Sequence, residues 1–278
     1  MNTDLVFDVG MNNGDDTAHY LYRGFRVVAI EADPTLVDAG RERFADAIRA
    51  GQLELVNAAI GPREEIAEFW ICDEKREWNS FDRSFAARDG LPHHSIPIRC
   101  RRFGDLLKQY GVPYYLKIDI EGHDQYCLDD LNPADLPQYI SLELGPFETM
   151  LRLQALGYSD FKLMTQNNHT QLVIDMFRAR LKRRLQPYPA LYGFSRKVAA
   201  LMRGSGGGDD GNINGTDPIN GWQFPFGSSG PFGEETPGEW RTLDDVMFTW
   251  TAYQLGYSKY GPPQLGIWHD VHARRQPA

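Results

Sequence analysis

The run Val6-Phe7-Asp8-Val9-Gly10-Met11-Asn12-Asn13-Gly14 restricts this chain more than any other stretch. Leu5 to Val9 reads as a buried strand, and Asp15 to Arg23 reads as a helix entered through a glycine-bounded turn. Glycines at positions 10 and 14 let the backbone turn tightly and approach a ligand with no Cβ in the way. A second strand, Arg26 to Glu31, ends on an acid 17 residues after Gly14. In a doubly wound sheet the helix start receives an anionic group, and an acid at that second strand end grips a ribose. Gly10, Gly14 and Glu31 are therefore expected to contact an adenosine cofactor; a tight turn without a ligand is the alternative.

The rest of the first two-thirds alternates strands with amphipathic stretches, which predicts an α/β fold with a Rossmann-like, doubly wound, mostly parallel sheet. Leu53 to Ile60 reads as a third strand, Tyr114 to Ile120 and Tyr139 to Leu144 as central strands, and Tyr158 to Met164 as another. Ile66 to Cys72 and Ile96 to Arg102 read as extra strands around a loop, Asp73 to Ser95, with His93-His94 inside it. A core of 1–164 is expected to be followed by an insertion acting as a lid, 165–241. Residues 242–278, with a helix over Leu243 to Leu255 and a strand over Gly266 to Val271, would complete the core.

Composition narrows the classes. At 278 residues, with 42% hydrophobic and 24% charged residues, the chain is long enough to bury a sizeable core. A formal net charge of −9 argues against a general nucleic-acid binder. Cys72, Cys100 and Cys127 form neither a disulfide framework nor a zinc motif. No stretch approaches the ~20 apolar residues that cross a bilayer, and no signal-peptide pattern is present. A cytoplasmic location is expected.

The kind of cofactor is decided by two positions. A nicotinamide site places a second glycine two residues after the first, so that pyrophosphate can lie against the helix. Here that position is Asn12, and the turn is preceded by Asp8. A carboxylate at Asp8 repels pyrophosphate and attracts an ammonium group. The methionine part of S-adenosylmethionine carries one, together with a sulfonium. Asn57, Ala58 and Ala59, at the end of the third strand, are where the adenine would rest, with simple strand-to-loop packing as the alternative.

Four stretches carry a resemblance to the FkbM-type methyltransferases: Phe7 to Gly14 and on to Thr17, Val28 to Pro34, Asn57 to Gly61, and Leu116-Lys117-Ile118-Asp119-Ile120-Glu121-Gly122. They span about half the chain, from Asp4 to Leu144. The resemblance implies a class I methyltransferase fold, S-adenosylmethionine as cofactor and O-methylation of a sugar or natural-product hydroxyl. It adds Thr17 and Ala32 to the expected cofactor contacts. His123-Asp124 stands where the family often has Ala-Glu. The first strand begins almost at Met1, so any cover over the cofactor is expected from the middle or C-terminal insertions.

Methyl transfer from a sulfonium requires alignment and exclusion of water, and an alcohol acceptor also benefits from a base. Lys117, Asp119 and Glu121 alternate along one strand, so they would share a face if that strand stays extended. Asp119 is the expected acceptor-orienting residue or base, Lys117 the residue that steadies the carboxylates, and Glu121 suits either task. His123 is a further candidate base. Asp119 and Glu121 could instead bind a divalent metal, an option not favoured because no third ligand is evident. Glu143 is the residue on the next strand that could reach the same crevice.

Other residues divide between function and packing. Asn79 and Ser80 could touch the cofactor or acceptor, or form a surface turn. His269 and His272 would face opposite sides of a strand, which disfavours a metal site. Trp222, Phe224, Phe226, Phe232 and Trp240 lie in or beside a Gly-rich stretch, 204–238, suited either to stacking on an acceptor or to pinning the loop onto the core. Arg178 to Arg203 carries eight basic residues against Asp175 alone, giving a solvated helix face, a phosphate site or peripheral membrane contact. The acceptor is expected to be a small molecule or glycan.

Overall fold

A computed structural model describes residues 1–145, 147–174, 184, 218–256 and 268–276. Apart from Arg184, the basic residues from Arg178 to Arg203 lie outside the described residues, as does 204–217 of the Gly-rich stretch.

Seven strands form the central sheet: β1 (Asn2–Val9), β2 (Arg26–Glu31), β3 (Leu53–Asn57), β7 (Pro113–Ile118), β8 (Tyr139–Glu143), β9 (Asp160–Thr165) and β10 (His269–Arg274). Their order is β3-β2-β1-β7-β8-β10-β9. Neighbours from β3 to β8 are parallel, while β10 runs antiparallel to both β8 and β9. The order reverses between β1 and β7, and it is at such a switch that a doubly wound sheet opens a crevice for a ligand.

The sheet has two unlike faces because its side chains alternate. Leu5, Phe7 and Val9 point into the larger core with Leu116, Ile118, Ile140 and Val271. Helices α5 (Phe103–Tyr110), α6 (Asp124–Asp129), α7 (Phe147–Leu156) and α8 (Leu243–Gln254) supply buried residues to that core. Val6, Tyr115 and Tyr139 point the other way, toward α1 (Asp15–Tyr22) and Phe232. On this second face a row of polar residues crosses the sheet in register: Asp8, Lys117, Ser141, His272 and Lys162, all buried. Buried polar groups need partners, and the chain beyond 218 provides one of them: Lys162 Nζ donates to the Thr236 carbonyl at 2.6 Å.

Several sequence expectations shift in detail. The third strand ends at Asn57, because Ala59–Ile60 (β4) leaves the main sheet and pairs with β6 (His93–Arg101). β6 also pairs antiparallel with β5 (Glu65–Cys72), so His93 and His94 belong to a strand and not to the loop. Between β2 and β3 the chain forms two helices, α2 (Pro34–Arg43) and α3 (Ala45–Arg49), parted at Phe44. The last strand runs over His269–Arg274, while Gly266 and Ile267, where the apolar pattern placed its start, lie outside the described residues.

The aromatic residues of the Gly-rich stretch are mostly pinned to the core. Phe232 stacks on Tyr115 with ring centroids 4.0 Å apart, and Phe224 packs between His19 and His169. Trp222 lies against His19 and Tyr22, and Trp240 against Tyr139. Phe226 alone of these five lines the central cavity. Among the described residues, no helix is long and apolar enough to cross a membrane.

Candidate active site

A cavity of about 900 Å³ opens at the carboxyl ends of β1, β2, β7 and β8. Gly10, Asn12, Glu31, Ala32 and Ala58 form its cofactor side, with Lys117, Asp119, Glu121, His123 and Glu143 further along. The structure thus brings all four expected catalytic residues and five of the nine expected cofactor residues to one space.

The turn after β1 is held by backbone geometry. Gly10 has φ +84°, and a Cβ there would lie 1.8 Å from the Asp119 carbonyl oxygen, so only glycine lets the two strand ends approach. Gly14 also has positive φ, a Cβ there would stand 2.6 Å from the Phe44 ring, and Gly14 does not line the cavity. Asn12, itself at φ +52°, donates its N–H to Glu31 at 2.8 Å, and Asp33 donates to the other Glu31 oxygen at 2.9 Å. Burial pushes the Glu31 carboxyl up, and those two N–H groups oppose it. Glu31 is locked in position yet keeps lone pairs that can accept from ribose hydroxyls.

Two expected contacts stand behind the wall, and a third, Asn57, is exposed to one side of it. Asp8 is fully buried, accepts from Thr17 Oγ1 at 2.6 Å and faces Lys117 Nζ at 3.3 Å; neither Asp8 nor Thr17 lines the cavity. The expected meeting of Asp8 with the donor's ammonium group is therefore corrected, because a buried carboxylate is already claimed by a cation on the next strand. Asn57 spends its amide on the Glu31 and Ala32 carbonyls and acts as a strut.

The expectation of one extended strand carrying Lys117, Asp119 and Glu121 also changes. β7 ends at Ile118, and Glu121 takes φ +46° followed by Gly122 at +89°. A turn, and not strand alternation, returns Glu121 to the site. Carboxylate oxygens of Asp119, Glu121 and Glu143 lie within 4.8 Å of one another. Burial and the charges of Glu143 and Asp119 push Glu121 up to about 8; burial and the charges of Asp119 and Asp124 push Glu143 up to about 7. Lys117 answers this negative charge from below, 3.7 Å from Asp119, and donates to the Gly10 carbonyl at 2.7 Å. Burial pulls the Lys117 ammonium down, but the charges of Asp8, Asp119 and Asp16 outweigh it and hold it above its usual range.

His123 stacks on Phe81 at 4.4 Å, and burial lowers its ring below the usual range, which leaves it neutral. Asn79 lines the cavity, but its amide donates to Asp33 and its oxygen accepts from the Cys72 N–H; with Arg76 at 2.8 Å from Asp33 it ties the 73–92 loop to β2. Ser80 forms a turn to Asp82. His269 and His272 point to opposite faces as expected: His269 packs on Tyr253, and His272 joins the buried polar row.

Asp16 escaped the sequence reading. It lines the cavity and accepts the Ser229 N–H at 3.1 Å on both oxygens. Burial, opposed by Lys117, pushes its carboxyl up to about 7. Through this bond Phe226, Gly227 and Ser228 are laid along the cavity edge. The sequence signal was only a second acid in the first turn of α1.

An acid-ended β2, the small residues Ala32, Ala58 and Ala59 beside it and a negatively lined far end suit a cofactor with a ribose, a flat base and a cationic tail. S-adenosylmethionine has all three. The fold and this site define a class I, S-adenosylmethionine-dependent methyltransferase domain. Residues 8–167, more than half of the chain, match the methyltransferase FkbM domain, and the chain belongs to that family.

The ribosomal RNA small subunit methyltransferase H of Gemmatimonas aurantiaca is 31% identical over 102 residues, which cover 33% of this chain and 32% of that protein. The match thus spans about a third of that relative's length. An rRNA methylase from Streptococcus thermophilus shares 14% identity, with 59% of this chain and 76% of that one covered, at a TM-score of 0.32. Phosphoethanolamine N-methyltransferase 2 of Haemonchus contortus, in complex with S-adenosyl-L-methionine, shares 9%, with 100% and 50% covered, at 0.37. Likenesses this distant add nothing to the assignment, which rests on strand order, site and family match.

Proposed function

We propose that the chain transfers a methyl group from S-adenosylmethionine to a hydroxyl oxygen of a sugar, glycan or natural product, by in-line displacement. The observation that carries this reading is the gathering of Asp119, Glu121 and Glu143 beside the cofactor side of the cavity. A hydroxyl becomes a good nucleophile as its proton leaves, and carboxylates with raised proton affinity are matched to receive it near neutral pH. Glu31 holds the ribose, and Ala58 with Ala32 lets the adenine approach. Asp119 orients the acceptor from the end of β7, steadied by Lys117. Glu121 takes the proton, with neutral His123 at the same rim as the other base within the cavity. Phe226 to Ser228 contribute to excluding water.

Transfer to nitrogen is the second reading, and a silent S-adenosylmethionine-binding scaffold a third. An amine acceptor needs only a site for its released proton, and a scaffold needs no carboxylate cluster. The shared segment with an RNA-directed relative is balanced against a net charge of −9, which disfavours a polyanionic acceptor.

The test is methyl transfer from labelled S-adenosylmethionine to a panel of sugars, glycans and amines, with the product linkage read by mass spectrometry. Asp119→Asn is expected to retain cofactor binding and lose turnover by a hundredfold or more, on the order of what a general acid–base residue contributes. Methylated amines as the sole product would displace the oxygen reading. Turnover unchanged in Asp119→Asn would remove that residue from its role.

A further inference from the structure

We propose that Asp119, Glu121 and Glu143 form a binding site for one divalent cation. Their carboxylate oxygens lie within 4.8 Å of one another. Oxygens bound to a single hard cation at about 2.1–2.5 Å stand no more than about 4–5 Å apart, so one ion can touch all three. Asp119 and Glu143 come from the ends of adjacent strands, and the left-handed Glu121-Gly122 turn delivers the third ligand.

Asp270 points to the same conclusion independently. It is 2% exposed and stands opposite Glu143 in the antiparallel register of β8 and β10, so the two side chains leave the sheet on one face. Its Oδ1 accepts from Gln166 at 2.8 Å, and Gln166 lines the cavity. Its Oδ2 is buried and has no hydrogen-bond partner among the described residues. The charges of Asp119 and Glu143 bear on this carboxylate, which leaves the sheet on the same face as Glu143. An unpaired buried carboxylate oxygen beside other acids is a costly arrangement, and a cation removes the cost.

Resident positive charge meets only part of this demand. Lys117 lies 3.7 Å from Asp119 but is shared with Asp8 and the Gly10 carbonyl. Arg88 acts on Glu121 and Glu143 from the cavity lip, with its guanidinium seated over the Phe85 ring. An all-carboxylate donor set selects hard ions of the Mg²⁺, Mn²⁺ or Ca²⁺ kind over thiophilic ones. The catalytic consequence rests on the methyl-transfer reading: a cation there would share the acceptor oxygen and ease loss of its proton. The binding itself does not depend on that reading.

The experiment titrates Mn²⁺ into the full chain, with and without S-adenosylmethionine, and follows free ion by electron paramagnetic resonance. Cofactor binding is measured separately by calorimetry. One Mn²⁺ per chain is expected, weakened at least tenfold in Glu143→Gln and again in Asp119→Asn, each checked for folding by circular dichroism. Asp270→Asn is expected to weaken it about tenfold, on the order of the loss of a group supporting the ligands. No binding up to ~1 mM, the concentration by which even weak protein sites for such ions fill, overturns the proposal. So does binding indifferent to both Glu143→Gln and Asp119→Asn. Mn²⁺ binding that obeys these variants in a chain that ignores S-adenosylmethionine upholds the cation site and sinks only the methyl-transfer reading.

Discussion

Lys117 and Asp8 face each other across adjacent parallel strands, Nζ to Oδ1 3.3 Å, with neither side chain more than 4% exposed. Asp8 Oδ1 has no aligned hydrogen bond, so the pair is a charge contact, anchored by Thr17 on one side and the Gly10 carbonyl on the other. It joins the first turn of the cofactor site to the strand that ends in Asp119.

Removing one partner of such a pair leaves an uncompensated buried charge. Lys117→Met is expected to cost about 3–5 kcal/mol of unfolding free energy, read by urea denaturation. A loss under about 1 kcal/mol, the worth of an exposed pair, would show that Asp8 finds another partner.

Glu31 is held by two backbone N–H groups and lines the cavity. Hydrogen bonds to a charged group contribute about 1.5–3 kcal/mol each. Glu31→Gln should therefore weaken S-adenosylmethionine binding by roughly ten- to a hundredfold in Kd while the fold persists. Calorimetry on the variant, its folding checked by circular dichroism, tests this, and an unaltered Kd would remove Glu31 from the ribose.

The pH dependence of stability has a definite sign between about pH 7 and 8. Burial lowers His19 and His269 to about 4 and His272 to about 3, so these rings are neutral in the folded chain, and the unfolded rings, near 6.5, are mostly neutral above pH 7. Asp16 and Glu143 near 7 and Glu121 near 8 still hold protons in the folded chain that the unfolded chain has lost. Lys162, lowered by burial to about 8, opposes the carboxyl groups only toward the top of this window. Raised carboxyl groups contribute stability at low pH that disappears as pH rises through the folded value, so the unliganded protein should lose stability over this window. Thermal melts in matched ionic strength should show Tm falling from pH 7 to 8, with a shallower slope in Glu143→Gln. A rising Tm would contradict the assignment.

Phe232 lies parallel to Tyr115, 4° between ring planes, and is 7% exposed. Phe232→Ala should cost about 3–5 kcal/mol and loosen the chain from Phe226 to Thr236. Limited proteolysis should then cut within that segment sooner than in the parent. Unchanged cleavage would mean that Asp16–Ser229 and Lys162–Thr236 hold it without the ring.

What could be read from the chain was local. A glycine turn between an apolar run and a helix, and an acid 17 residues further on, are covalent neighbours of the structures they specify. Gly10, Asn12, Glu31, Ala58 and the sheet class followed from them. Lys117, Asp119 and Glu121 were also found from spacing, although the reason offered, strand alternation, gave way to a left-handed turn at Glu121.

Tertiary structure decided what distant segments do to each other. Asp8 was read as a cofactor contact because sequence shows a charge but not its burial; pairing with β7 took it out of the cavity. Glu143 reached Asp119 only through the register of β7 and β8, and Asp270 was set opposite Glu143 only through that of β8 and β10, which joins positions 127 residues apart. The aromatic residues of the Gly-rich stretch likewise read as either acceptor platform or anchor. Four became anchors, because the second face of the sheet carries a polar row and rings that something had to cover. Local patterns encode conformation and chemistry; burial and partnership are properties of the assembled sheet.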